Sequence, residues 1–161
     1  MLTLIDMKKY LILSGALIIA ASACNKDKEA IKKPQISLKS MSPNTVVSGA
    51  PGDTVFIELG YAMAADGVGI PDQGGAALVF EDSRDTSLRI NEPFPADMVG
   101  KLPDGEINIS GTLTMKIPAI KYLILEPDRP DGDTLKYTIY LKDKNGVESN
   151  RIETSDIFIV P

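Results

Sequence analysis

The sequence has no histidine, no tryptophan and a single cysteine in 161 residues. Without histidine the commonest general base, the Cys/His nucleophile pair and the histidine-based zinc site are all unavailable. The lone cysteine excludes a disulfide within the chain, so a folded domain has to be held by packing, which a chain of this size can supply. A cationic excess is lacking as well: 17 Lys and Arg stand against 22 Asp and Glu, a formal charge of −5. Nucleic-acid binders draw most of their affinity from neutralising phosphates, so nucleic acid is not an expected partner.

What is present begins with an address. Lys8 and Lys9 precede an apolar run from Tyr10 to Ala21, which ends in the small residues Ala21, Ser22 and Ala23 just before Cys24. A basic segment, a short apolar segment and a small-residue cleavage site make a secretory signal peptide. The run is too short for a hydrocarbon core that needs ~20 apolar residues. Met7 is a plausible true start, because Met1 to Asp6 put an acidic residue ahead of the basic pair.

Ala21-Ser22-Ala23-Cys24 resembles the lipobox of bacterial lipoproteins. The resemblance implies cleavage before Cys24, acylation of its sulfur and then of its new amino terminus. At ~0.8 kcal/mol per buried CH₂ one acyl chain holds marginally, whereas the two or three that the family implies hold stably. Loss of residues 1–23 removes a net +1 and leaves −6 on the mature chain. The following Asn25-Lys26-Asp27-Lys28-Glu29 is similar to the short Lys/acidic export signal of surface lipoproteins in Bacteroidota, with Lys28 interrupting its acidic pair. Read without that resemblance, residues 24–34 are a charged, flexible tether between lipid and domain.

From Gln35 to Pro161 the apolar pattern has period two. Ile107, Ile109, Gly111, Leu113, Met115 and Ile117 alternate with polar residues, as do Val55, Ile57, Leu59 and Tyr61, and Leu135, Tyr137, Ile139 and Leu141. One apolar face and one polar face describe half-buried antiparallel strands. Ile36 to Ser40, Ala76 to Glu81, Tyr122 to Leu125 and Asp156 to Val160 are further strand candidates. Turn chemistry separates them, as in Ser42-Pro43-Asn44, Pro103-Asp104-Gly105 and Lys144-Asn145-Gly146. About seven short strands predict an all-β, immunoglobulin-like antiparallel β-sandwich over residues 35–161. Its expected core holds Ile57, Leu59, Leu113, Met115, Tyr137, Ile139 and Leu141, with Tyr137 placed as a tyrosine corner bonded to backbone upstream.

The order of segments also resembles a type of small Bacteroidota surface lipoprotein. The stretches that carry the likeness are Pro34 to Leu38, Thr54 to Tyr61, Ala65 to Gly75 and Asp133 to Asn150. In that type an Asp/Gly-rich loop follows the second strand. Here the loop starts Ala62-Met63-Ala64-Ala65-Asp66-Gly67, which puts an ion site there in doubt.

Oxygen ligands for calcium would come from Asp128, Asp131, Asp133, Asp143 and Asn145. These fall in two loops at opposite ends of one strand, ~26 Å apart, and Asp and Asn are what turns use anyway. No metal or other cofactor is therefore expected. Carboxylate pairs such as Glu81 with Asp82 or Asp97 with Asp104 read as solvated surface charge. Tyr140, Tyr122 and Phe94 are the aromatic residues expected outside the core, with Tyr140 more often a cross-strand packing residue than a platform.

Ser83 to Glu106 has little alternation and exceeds what a connection needs, so it is either a functional loop or a disordered excursion. Arg84, Arg89 and Phe94 are its candidate contact residues, because interfaces favour large planar groups. The expected protein is a non-catalytic outer-membrane lipoprotein that presents part of a sandwich to an extracellular protein or glycan. A ligand-binding component of a nutrient-uptake system is the alternative, and a carboxylate enzyme the third.

Overall fold

The alternating segments do form strands. The computed structural model describes residues 29–69, 74–95 and 106–161. In chain order the strands are β1 Gln35–Ser42, β2 Thr45–Val47, β3 Thr54–Ala64, β4 Ala77–Asp82, β5 Arg89–Pro93, β6 Asn108–Pro118, β7 Asp133–Leu135, β8 Tyr137–Lys142, β9 Ile152–Glu153 and β10 Ile157–Val160. Seven of these have four residues or more, and the other three are short pieces. Among the described residues the helical elements are a 3₁₀ turn at Ala65–Gly67 and the single turn α1, Ala119–Tyr122.

One layer is the antiparallel sheet β1-β3-β6. The other runs β5-β4-β8-β9 and continues through β7-β10-β2. Only Lys136 separates β7 from β8, and only residues 154–156 separate β9 from β10. These two pieces are therefore one broken pair of strands. The break is bridged by a side chain, since Thr154 Oγ1 accepts the Tyr137 N–H at 3.0 Å. The layering is that of an immunoglobulin-like sandwich, and the chain changes layer at the cis Ser42–Pro43 bond, after which β2 lies parallel to β10.

Inward residues of both layers make one core. Ile57, Leu59, Leu113, Tyr137, Ile139 and Leu141 are buried in it, and Met115 packs against it half-buried. Tyr122 to Leu125 departs from the expected strand. Pro118 closes β6, the Ala119 N–H bonds the Asp53 carbonyl at 2.9 Å, and the chain coils once so that Leu123 enters the core. Part of the segment expected as a tether is held against the domain. Asn108 Oδ1 accepts the Ile31 N–H at 2.7 Å and its Nδ2 donates to the Glu29 carbonyl at 2.9 Å, which fastens this segment to the start of β6.

Candidate functional site

β6 leads from one end of the sandwich to the other. Asn108 and the end of β3 at Ala64 sit at the first end, and Pro118 faces Thr54 at the second. β4 runs the same way: Ala76 bonds Val68 next to the 3₁₀ turn, and Asp82 closes the strand opposite Tyr137. The far end therefore gathers α1, the Ser83–Leu88 turn and the tips of β4 and β8. They enclose a cleft of about 230 Å³. Leu88, Ile90 and Tyr122 supply apolar wall, Arg89 and Lys121 supply cations, and Asp82, Arg84 and Tyr137 also line it.

Arg84 is the centre of the polar side. Its Nη2 meets Asp82 Oδ2 at 2.7 Å, its Nε reaches both Asp82 oxygens, and its Nη1 donates to Asp133 Oδ2 at 3.1 Å and to the Ile124 carbonyl at 3.0 Å. The side chains of Arg84, Asp82 and Asp133 are only 6%, 7% and 2% exposed. Burial works against the Arg84 charge, but its hydrogen bonds with Asp82 and Asp133 outweigh this and hold its pKa above the ordinary range. Burial likewise pushes Asp133 up, yet hydrogen bonds from Arg129 and Arg84 leave it lower than usual. The network joins the end of β4, the start of β7 and the segment after α1.

Tyr137 stands beside this network with 1% of its surface exposed. Its ring meets Phe80 edge-on at 5.9 Å. The tyrosine-corner expectation fails: among the described residues no backbone or side-chain group bonds its hydroxyl. No fully buried polar atom is left unpaired there, so what exposure the hydroxyl has opens onto the cleft that Tyr137 lines. Desolvation raises the phenol's pKa, which keeps it a neutral donor.

The structure separates the three residues expected to make contacts. Arg84 and Arg89 both border the cleft, Arg84 as a buried ion pair and Arg89 half-exposed on Glu81 at 2.9 Å. Phe94 is 1% exposed and packs edge-on against Tyr61 at 4.9 Å, so it is a core residue and unavailable to a partner. The pull comes from its backbone, whose N–H extends the β4–β5 ladder to Ala76 at 2.8 Å and turns the ring inward. Residues 83–95 are accordingly a turn and strand β5, and the rest of the expected excursion, 96–105, lies outside the described residues.

Tyr140 is also buried, beneath the Arg151 guanidinium at 4.0 Å, which is itself held by Glu81 and Glu148. Asp143 Oδ1 accepts the Asn145 and Val147 N–H groups, a turn role, and no cluster of metal-ligating residues occurs among the described residues. Cys24, Ala21, Ser22, Ala23, Asp97 and Asp104 lie outside the described residues.

Sequence reasoning missed the part that α1 plays. Lys121 and Tyr122 follow Pro118, Tyr122 opening the segment read as a strand, and the signal that was available is that proline. Compared with known proteins, the chain matches no family model and no curated sequence.

Proposed function

We propose that the mature chain is a lipid-anchored, non-catalytic binding module of the outer membrane, held at Cys24 and offering the far end of its sandwich to an extracellular partner. The observation that carries this reading is the arrangement along β6. Asn108 fastens Glu29 and Ile31 at one end of the strand, and the cleft lies beyond the other end. From Cys24 to Glu29 is a reach of ~18 Å at most. β6 itself spans ~33 Å. An anchor at Cys24 would thus keep the Asn108 end near the lipid and the cleft away from it.

The non-catalytic part rests on how the acidic groups are used. Asp82, Asp133 and Glu81 are taken up by arginines, and Asp143 by backbone N–H groups. A general acid or base needs a carboxylate free to exchange its proton with a substrate. Cys24→Ala tests the anchor: palmitate labelling and outer-membrane partitioning should both be lost, and unchanged labelling would overturn it. A second reading, a ligand-binding component of an uptake system, is favoured by the cleft. Co-purification of an outer-membrane transporter with the full-length chain would select it.

A further inference from the structure

We propose that the cleft beside α1 is a site for a small carboxylate carried on an apolar or aromatic body. This deepens the binding-module reading by naming the chemistry of its ligand. Two donor-bearing side chains, Tyr137 and Arg84, line the cleft. No described group bonds the Tyr137 hydroxyl, and since no buried polar atom is left unpaired, it keeps some exposure to the cleft that Tyr137 lines. Arg84 has five N–H groups, and its contacts with Asp82, Asp133 and Ile124 account for four of them, leaving one on Nη2.

A donor open to the cleft is available to a ligand oxygen. Asp82 also lines the cleft, but both its oxygens already accept from Arg84, so its charge is neutralised from within the protein. At the mouth stand Lys121, whose ammonium sits 4.6 Å from the Tyr122 ring centre, and Arg89. Arg89 is already paired with Glu81, so Lys121 is the cation that favours an anion over a neutral amide or alcohol. Leu88, Ile90 and Tyr122 then cover an apolar body. The volume, about 230 Å³, suits one ring or one branched chain and not an extended polymer.

The shared chemistry could reach the site as a free carboxylic acid or as the C-terminus of a polypeptide ending in an apolar residue. Titration calorimetry on the full-length chain in a neutral detergent distinguishes them. The probes are 3-phenylpropanoate, 3-phenylpropanamide, and acetyl-Ala-Ala-Phe as free acid and as amide. Both acids should bind ~10-fold or more tightly than their amides. Tighter binding of the peptide acid than of 3-phenylpropanoate assigns the source to a polypeptide end, and the reverse order to a free acid.

Tyr137→Phe keeps the ring and removes only the hydroxyl; Lys121→Ala changes an exposed residue. Each should weaken the acids ~5- to 10-fold and leave the amides unchanged. Acids and amides binding alike, variants that bind like the parent chain, or no heat up to ~10 mM ligand would each overturn the proposal. Binding without lipid attachment would sink the anchor alone, and attachment without binding would sink the ligand alone.

Discussion

The Asn150 side chain pairs with the backbone of Ile36 in both directions, donating from Nδ2 to the Ile36 carbonyl at 2.9 Å and accepting the Ile36 N–H on Oδ1 at 3.0 Å. Asn150 precedes β9 in one layer, and Ile36 belongs to β1 in the other. The amide thus imitates a backbone ladder across the open edge of the sandwich. Asn150→Leu leaves both Ile36 groups unpaired and should lower unfolding stability by ~2 kcal/mol. Asn150→Asp, which keeps an acceptor, should lose less. Urea denaturation with an unchanged slope is the measurement.

The three arginine and phenylalanine positions on the β4–β5 hairpin should respond very differently to alanine. Arg84→Ala leaves Asp82 buried without its ion pair and Asp133 with Arg129 alone, and should cost ~3–5 kcal/mol. Phe94→Ala empties a core position against Tyr61, again ~3–5 kcal/mol. Arg89→Ala removes a half-exposed arginine from Glu81, which keeps Arg151, and should change stability by no more than ~1 kcal/mol. Thermal melts of the three variants would check the order, and a large loss at Arg89 would contradict it.

Acid should weaken the fold through Asp133. Its pKa is lower folded than unfolded, so the folded chain binds its proton more weakly. The stabilisation is full above the unfolded value of 3.8 and is lost as pH falls through the lower folded value. Denaturation followed by circular dichroism should therefore show this loss beginning only below about pH 4 to 5. Asp133→Asn, less stable at neutral pH, should flatten that limb.

Alkali should act through Tyr137 in the opposite sense. Burial raises its pKa above 10.0, so the folded chain holds the phenolic proton more tightly than the unfolded chain. Its stabilisation is present below 10.0 and declines as pH rises from there toward the folded value. Tyr137→Phe should remove this decline while leaving the neutral-pH melting temperature nearly unchanged, because no described residue bonds the hydroxyl. A large drop at neutral pH would reveal a structural partner.

Asn108→Ala should release residues 29–31 without unfolding the sandwich. Trypsin cleavage after Lys32 should then rise several-fold, read by mass spectrometry, with the domain's melt lowered by ~1 kcal/mol or less. Equal cleavage rates would mean that the two Asn108 bonds do not hold the segment.

The parts legible in the sequence are those where one local rule decides. β3, β6 and β8 alternate because one face of each meets the core, and Ile57, Leu113 and Ile139 mark that face directly. Phe94 was not legible, because the inward register through Ile90 passes Glu92 before reaching it. β2 is only three residues long and owes its conformation to β10, which lies 110 residues further on. Arg84 looked like surface because nothing local shows that Asp133 approaches it from 49 residues away. The cleft is assembled by the same distant approaches, with Lys121 from α1 set against Tyr137 from β8.

The layout of β1 decides how the domain answers to a pull. Its first residue lies at the Asn108 end and its last at the cleft end, and it runs antiparallel to β3 throughout. Tension between the N-terminal segment and anything gripped at the cleft is directed along the two strands. The β1–β3 hydrogen bonds, perpendicular to that line, then share the load in shear and must yield together, where a hinge-like pull would open them one after another. A pull along the strands would therefore meet its resistance in the register from Gln35 to Ser42.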